Sequence, residues 1–175
     1  MGKRKRYLVA YFAVPEAIEE TARALAELTG AELFEIRAGK PYTEKDLDMT
    51  NRRSRACYEA RQEYERPMIK DGLYNMPDYD GIYLRYTVWE CGTPRIIQTF
   101  LEEYDYTGKT VVPFTVPGCV GFEESVAALR ALYPAPEWSE PKILHELPSR
   151  GEAFRWARRR RGNSLHSPDG NNGMA

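Results

Sequence analysis

Tyr7-Leu8-Val9-Ala10-Tyr11-Phe12, followed by Ala13-Val14-Pro15-Glu16-Ala17-Ile18-Glu19-Glu20, sets the reading of the whole chain. The first six residues have the continuous apolar character of a strand covered on both faces. Glu16–Leu28 then reads as an amphipathic helix, with Ile18, Ala22, Leu25 and Leu28 near helical spacing and Gly30 as its stop. A strand running straight into a helix is where a phosphate-binding loop is expected. Such a loop needs glycine for close backbone approach and Ser, Thr or Asn as donors at the helix N-terminus. None of these stands in Ala13–Ile18, and Glu16, Glu19 and Glu20 place three carboxylates in the first turns. Pro15 and these acids suit the helix's own dipole instead.

Outward from this unit, strand and helix signals alternate to the end of the chain, which argues for an α/β fold with a mostly parallel sheet. Glu32–Ile36 is a second, shorter strand. Thr43-Glu44-Lys45-Asp46 signals a charged surface helix reaching about Tyr64, with a thin apolar face of Leu47, Cys57, Ala60 and Tyr64. Tyr79–Tyr86 is a third strand, and Pro94 starts a helix carrying Ile97, Phe100, Leu101 and Tyr104. Thr110–Thr115 is a fourth strand, although Pro113 in it cannot donate to a ladder. Phe122–Tyr133 is a helix, Lys142–Leu147 a fifth strand, and Ser149 caps a last helix with Ala153, Trp156 and Ala157. The expected organisation is a basic segment 1–6, one domain over 7–161, and a Gly/Asn/Ser/Pro-rich disordered tail 162–175. In a doubly wound sheet of order 2-1-3-4-5 the site lies outside the strand carboxyl ends. It would be assembled from Ala13–Glu16, Thr87–Thr93 and Val116–Gly121.

Charge and cysteine content exclude several classes. The net charge of −1 hides an acidic body between two basic ends, Lys3-Arg4-Lys5-Arg6 and a second cluster of Arg155 and Arg158–Arg161. No RNA-binding or zinc-finger signature accompanies them, so nucleic acid is not an expected partner. No apolar run is long enough to span a membrane. Cys57, Cys91 and Cys119 form no C-x-x-C pattern, so a reduced, cytoplasmic protein is expected. Cys91 and Cys119 should frame one crevice, with Cys57 far from both. The strand ends carry no receiver-type carboxylates. No dinucleotide or nucleoside-triphosphate motif follows the first strand. With His145 and His166 the only histidines, a Ser-His-Asp triad is unsupported.

The middle of the chain carries a resemblance. Tyr79-Asp80-Gly81-Ile82-Tyr83-Leu84-Arg85-Tyr86-Thr87-Val88-Trp89 resembles the flavodoxin-like pattern Y-D-x-I-x-L-G-Y-P-I-W-W-G. Phe100–Thr115, with its Gly108-Lys109-Thr110 turn, is similar to that family's next helix and strand, where relatives also carry proline. Tyr7–Phe12, Thr29–Ile36 and Lys40-Pro41-Tyr42 match its first two strands, so the similarity covers about Tyr7 to Trp156. The resemblance implies a three-layer flavodoxin-like sandwich with a five-stranded parallel sheet of order 2-1-3-4-5. It further implies FMN as cofactor and an electron-transfer or quinone-reductase-type oxidoreductase, close to the short-chain flavodoxins, with a redox partner and a homodimer among its associations. The FMN-contacting positions it implies are Thr87, Val88, Trp89, Thr115, Gly118 and Gly121. Ala13–Ile18 replaces the family's S-x-(S/T)-G-N-T loop, Glu90 its second tryptophan and Thr87 its proline. The expectation is therefore weak or absent FMN binding. The alternative is a non-catalytic binding or structural module on the same scaffold.

Overall fold

Every residue of three strands is buried: β1 (Tyr7–Tyr11), β3 (Gly81–Arg85) and β4 (Thr110–Thr115). This is what continuous apolar runs produce when helices cover both sheet faces. The computed structural model describes residues 4–14 and 18–158. With β2 (Glu32–Glu35) and β5 (Glu137–Trp138), the strands form a parallel sheet of order β2-β1-β3-β4-β5, as the resemblance implied. The register aligns Leu33, Val9, Tyr83 and Val112 across the sheet.

Alternation then divides the core in two. Leu8, Ala10, Ile82, Leu84 and Val111 face one layer, which includes α3 (Arg95–Glu103) and α4 (Phe122–Leu132). Val9, Tyr11, Tyr83, Val112 and Phe114 face the other, formed by α1 (from Ile18 to Thr29) and α5 (Arg150–Trp156). Ser149 caps α5 as expected, its hydroxyl accepting from the Glu152 N–H at 3.3 Å. Arg6, the last residue of the basic segment, is tied into the fold. Its guanidinium pairs with Glu32 and Asp78, and its N–H donates to Asp80.

Two elements differ from expectation. The long helix from Thr43 to Tyr64 is only α2 (Arg55–Arg61), capped by Ser54. Thr43 and Asp46 do exchange the reciprocal bonds of a capping box. However, the Asp48 and Asn51 side chains then accept from the backbone N–H groups of Thr50 and Arg53. Such Asx turns compete with helix formation, and the chain does not turn helical until Ser54.

The fifth strand is likewise split into β5 and β6 (Lys142–Ile143), both paired with β4, instead of running from Lys142 to Leu147. This split resolves the tension over Pro113. The carbonyls of Lys109, Val111 and Thr115 accept from Glu137, Ser139 and Leu144. Pro113 has the same parity, so its proton-less nitrogen faces the interruption between Trp138 and Lys142, where no ladder bond is required.

The expected tail Gly162–Ala175, and Arg159–Arg161 of the basic end, lie outside the described residues. Among the described residues, no helix is long and apolar enough to cross a membrane.

Candidate functional site

Three loops leave the carboxyl ends of β1, β3 and β4. The first departs directly above the sheet, with the Phe12 N–H donating to the Arg85 carbonyl at 3.0 Å. Ala13 and Val14 are half-buried, Pro15, Glu16 and Ala17 lie outside the described residues, and Ile18 packs into the core. Glu19 is held by Arg23 one helical turn on, so part of the acidic charge expected to oppose an anion is already offset within α1.

The second loop closes on itself. Trp89 and Gly92 exchange backbone bonds of 3.1 and 2.9 Å, and Gly92 takes a φ of +125° that a side chain would resist. Trp89 is one of the FMN-contacting positions the resemblance implies, and the ring expected to stack on a flavin. Its exposure is only 6%, and it packs 5.9 Å from Phe12 and edge-on to Tyr42 at 5.4 Å. Tyr42 is fixed in turn. Its hydroxyl donates to buried Glu59 at 2.5 Å, Arg55 Nε donates to the same carboxylate at 2.6 Å, and the Arg55 guanidinium lies 4.1 Å over the Tyr42 ring. Burial, and next the bond to anionic Glu59, push the Tyr42 hydroxyl far above its ordinary pKa.

The expectation for the cysteines is corrected here. Cys57 is not remote; it is disulfide-bonded to Cys91, with Cα atoms 5.1 Å apart. The short α2 is docked against the second loop, where Gly92 and Ala60 also meet, and this brings Cys57 onto the loop's flank. The reading of three reduced thiols fails with it, and Cys119 is the one free cysteine of the chain.

The third loop comes up against the second. Val88 N–H donates to Cys119 Sγ at 3.3 Å, and a Cβ added to Gly121 would lie 3.9 Å from the Val88 side chain. Gly118 and Gly121 both need a positive φ (91° and 77°), which is the reason for glycine at each. Thr93 and Tyr86 both hydrogen-bond the Ser125 hydroxyl, at 2.6 and 2.9 Å, fastening the second loop to α4. Val88, Gly121 and Cys119 are thus brought together, with Thr87 and Gly118 as their chain neighbours. Trp89 and Thr115 lie beneath them, Thr115 with no exposed surface. Beside the first loop, a pocket of about 220 Å³ opens between Ala13, Val14, Ile36, Tyr42 and Lys70.

Arg85, read from the sequence only as a strand residue, is the unanticipated member. It is 2% exposed at the carboxyl end of the central strand. Its Nη1 donates to the Tyr86 carbonyl at 2.9 Å and to the Thr115 hydroxyl at 2.8 Å, while its buried Nε has no partner among the described residues. Burial pulls the guanidinium down to about 10, partly countered by the nearby Cys119 sulfur. An arginine between Leu84 and Tyr86 in a fully apolar strand was the available signal, since arginine is seldom fully buried without a partner.

The first loop offers no side-chain hydroxyl, the expected stacking ring is turned into the core, and the two ring-flanking loops touch.

A family profile described as Flavodoxin matches residues 6–160. Two solved structures, provisionally named as flavoproteins, are similar over most of their length. The protein of Bacteroides eggerthii is 35% identical, with 87% of this chain and 96% of that one covered and a TM-score of 0.79. The protein of Bacteroides uniformis is 33% identical, with 88% and 98% covered and a TM-score of 0.77. A flavoprotein of Lactobacillus acidophilus, solved in complex with FMN, shares the fold at 18% identity, with 87% and 99% covered and a TM-score of 0.66. No curated protein matches the chain.

Proposed function

The chain belongs to the flavodoxin family, and from that premise we propose that it is a flavodoxin-fold protein whose hold on FMN is much weakened. Bound FMN would supply one- and two-electron chemistry. Electron transfer, or reduction of a quinone-type acceptor, therefore belongs to this protein only as far as FMN is retained. What carries the reading is the burial of Trp89 against Phe12 and Tyr42, combined with the absence of every hydroxyl donor from Ala13–Ile18. Phosphate recognition depends on such donors and on a positive field at the helix start. A carboxylate about 6 Å from a phosphate costs roughly 1–3 kcal/mol at a partly screened site. Glu16 and Glu20 are the acids concerned, once Glu19 is assigned to Arg23.

The contact between Val88 and Cys119 favours a second reading, a binding module on the same scaffold, because it brings together the two loops that would flank a ring. One titration separates the two. Purified protein titrated with FMN is expected to show no stoichiometric fluorescence quenching at submicromolar concentration. It should also show a smaller FMN-over-riboflavin preference than the Lactobacillus acidophilus flavoprotein. Tight stoichiometric quenching would overturn the proposal and restore an ordinary flavoprotein.

A further inference from the structure

The register places Arg85 between Tyr11 of β1 and Phe114 of β4, and all three side chains share the sheet face that α1 covers. Its carbonyl takes the Phe12 N–H, so the first loop leaves the sheet directly beside it. The guanidinium bends towards the carboxyl end of the sheet, where Nη1 meets the Tyr86 carbonyl and the Thr115 hydroxyl. Two neutral acceptors do not balance a positive charge. Among the described residues no carboxylate acts on Arg85, and its buried Nε is left without an acceptor. A charge in this condition is costly to the fold, and a bound anion would relieve it. A guanidinium offers planar, forked donors that match phosphate oxygens.

We propose that Arg85 is an oxyanion subsite that takes the phosphate of a phosphate monoester, replacing the hydroxyls missing from the first loop. Thr115 is then a positioning residue: its hydroxyl accepts from Nη1 and holds the fork. The proposal rests on the reading that Ala13–Ile18 no longer grips phosphate. It does not need the isoalloxazine ring to bind.

The test uses the full chain and inorganic phosphate, with chloride at matched ionic strength as control. Wild-type protein is expected to show a melting temperature that rises with phosphate and not with chloride. R85M should abolish that rise, and R85K should keep part of it. The FMN-over-riboflavin affinity ratio should fall to about one in R85M, as it must when the phosphate no longer contributes. Urea unfolding of each variant checks that it remains folded; R85M removes the buried charge while retaining an unbranched side chain, so it should fold.

Two results would overturn the proposal. In one, the phosphate response survives R85M. In the other, wild type shows no rise in melting temperature with phosphate beyond that with chloride. The wild-type FMN titration judges the flavin reading separately. A phosphate response lost in R85M upholds the subsite even where no flavin binds.

Discussion

Reducing Cys57–Cys91 should destabilise the protein by an amount that the chain separation alone sets. The two cysteines are 34 residues apart. In the chain-entropy account, a closed loop of this length removes unfolded-state entropy worth about 4 kcal/mol at 25 °C. In a chain of 175 residues, each kcal/mol shifts the melting temperature by about 2–4 °C, so reduction should lower it by about 8–16 °C. The fold itself should persist. Arg95 independently holds α2 through the carbonyls of Ala60 (2.8 Å) and Glu59 (3.3 Å), so the second loop stays docked. The assay is thermal unfolding followed by circular dichroism, with and without dithiothreitol, beside a thiol titration in denaturant. Without reductant one thiol, Cys119, should alkylate; after reduction all three should. Three reactive thiols before reduction would refute the cross-link. A shift of less than about 2 °C would refute the entropic argument.

Two further predictions follow from the aromatic and acidic groups around the site. Glu59 is buried and shared by Arg55 and Tyr42. E59A should therefore cost about 3–5 kcal/mol, because it leaves a cation without its partner. Y42F should cost about 1.5–3 kcal/mol through the one lost charge-assisted bond. Urea denaturation measures both, and equal costs would show that the tyrosine and not the ion pair carries the cluster. Restoring the first loop with A13S/V14R/P15T/E16G/A17N, and keeping Ile18 because it is buried, should raise FMN affinity at least tenfold, about 1.4 kcal/mol. Unchanged affinity in a folded variant would place the defect in the second and third loops.

The sheet was legible because parallel strands declare themselves. Thr110–Thr115 appears at the boundaries its apolar run indicates, and Gly30, Pro94 and Ser149 mark helix ends by local chemistry. What the sequence concealed depended on contacts between distant segments. Cys57 looked isolated while the helix bearing it was expected to run from Thr43 to Tyr64. Once the side chains of Asp48 and Asn51 bond their own backbone, only seven residues remain helical, and they sit against the second loop. Trp89 reads as a ring for stacking in a linear pattern, yet Tyr42 and Phe12 claim it, and no spacing along the chain reveals a partner 47 residues away. Arg85 was visible as an oddity, but its burial and its orphaned nitrogen were not. The three loops named from the sequence lie at the carboxyl ends of β1, β3 and β4, whereas two of the side chains expected to face a ligand, Trp89 and Thr115, are buried.

The interrupted fifth strand also bears on what the sheet border offers to another strand. A sheet edge presents unpaired donors and acceptors that a second chain can extend, and long, flat edges invite aggregation. Here one edge is the four-residue β2, flanked by Glu32 and Glu35, and the other is two residues of β5 and two of β6 with Ser139-Glu140-Pro141 between them. No continuous outer row survives on that side for an incoming strand to read. The break that leaves Pro113 without an unmet bond also makes this border a poor template for edge-to-edge pairing.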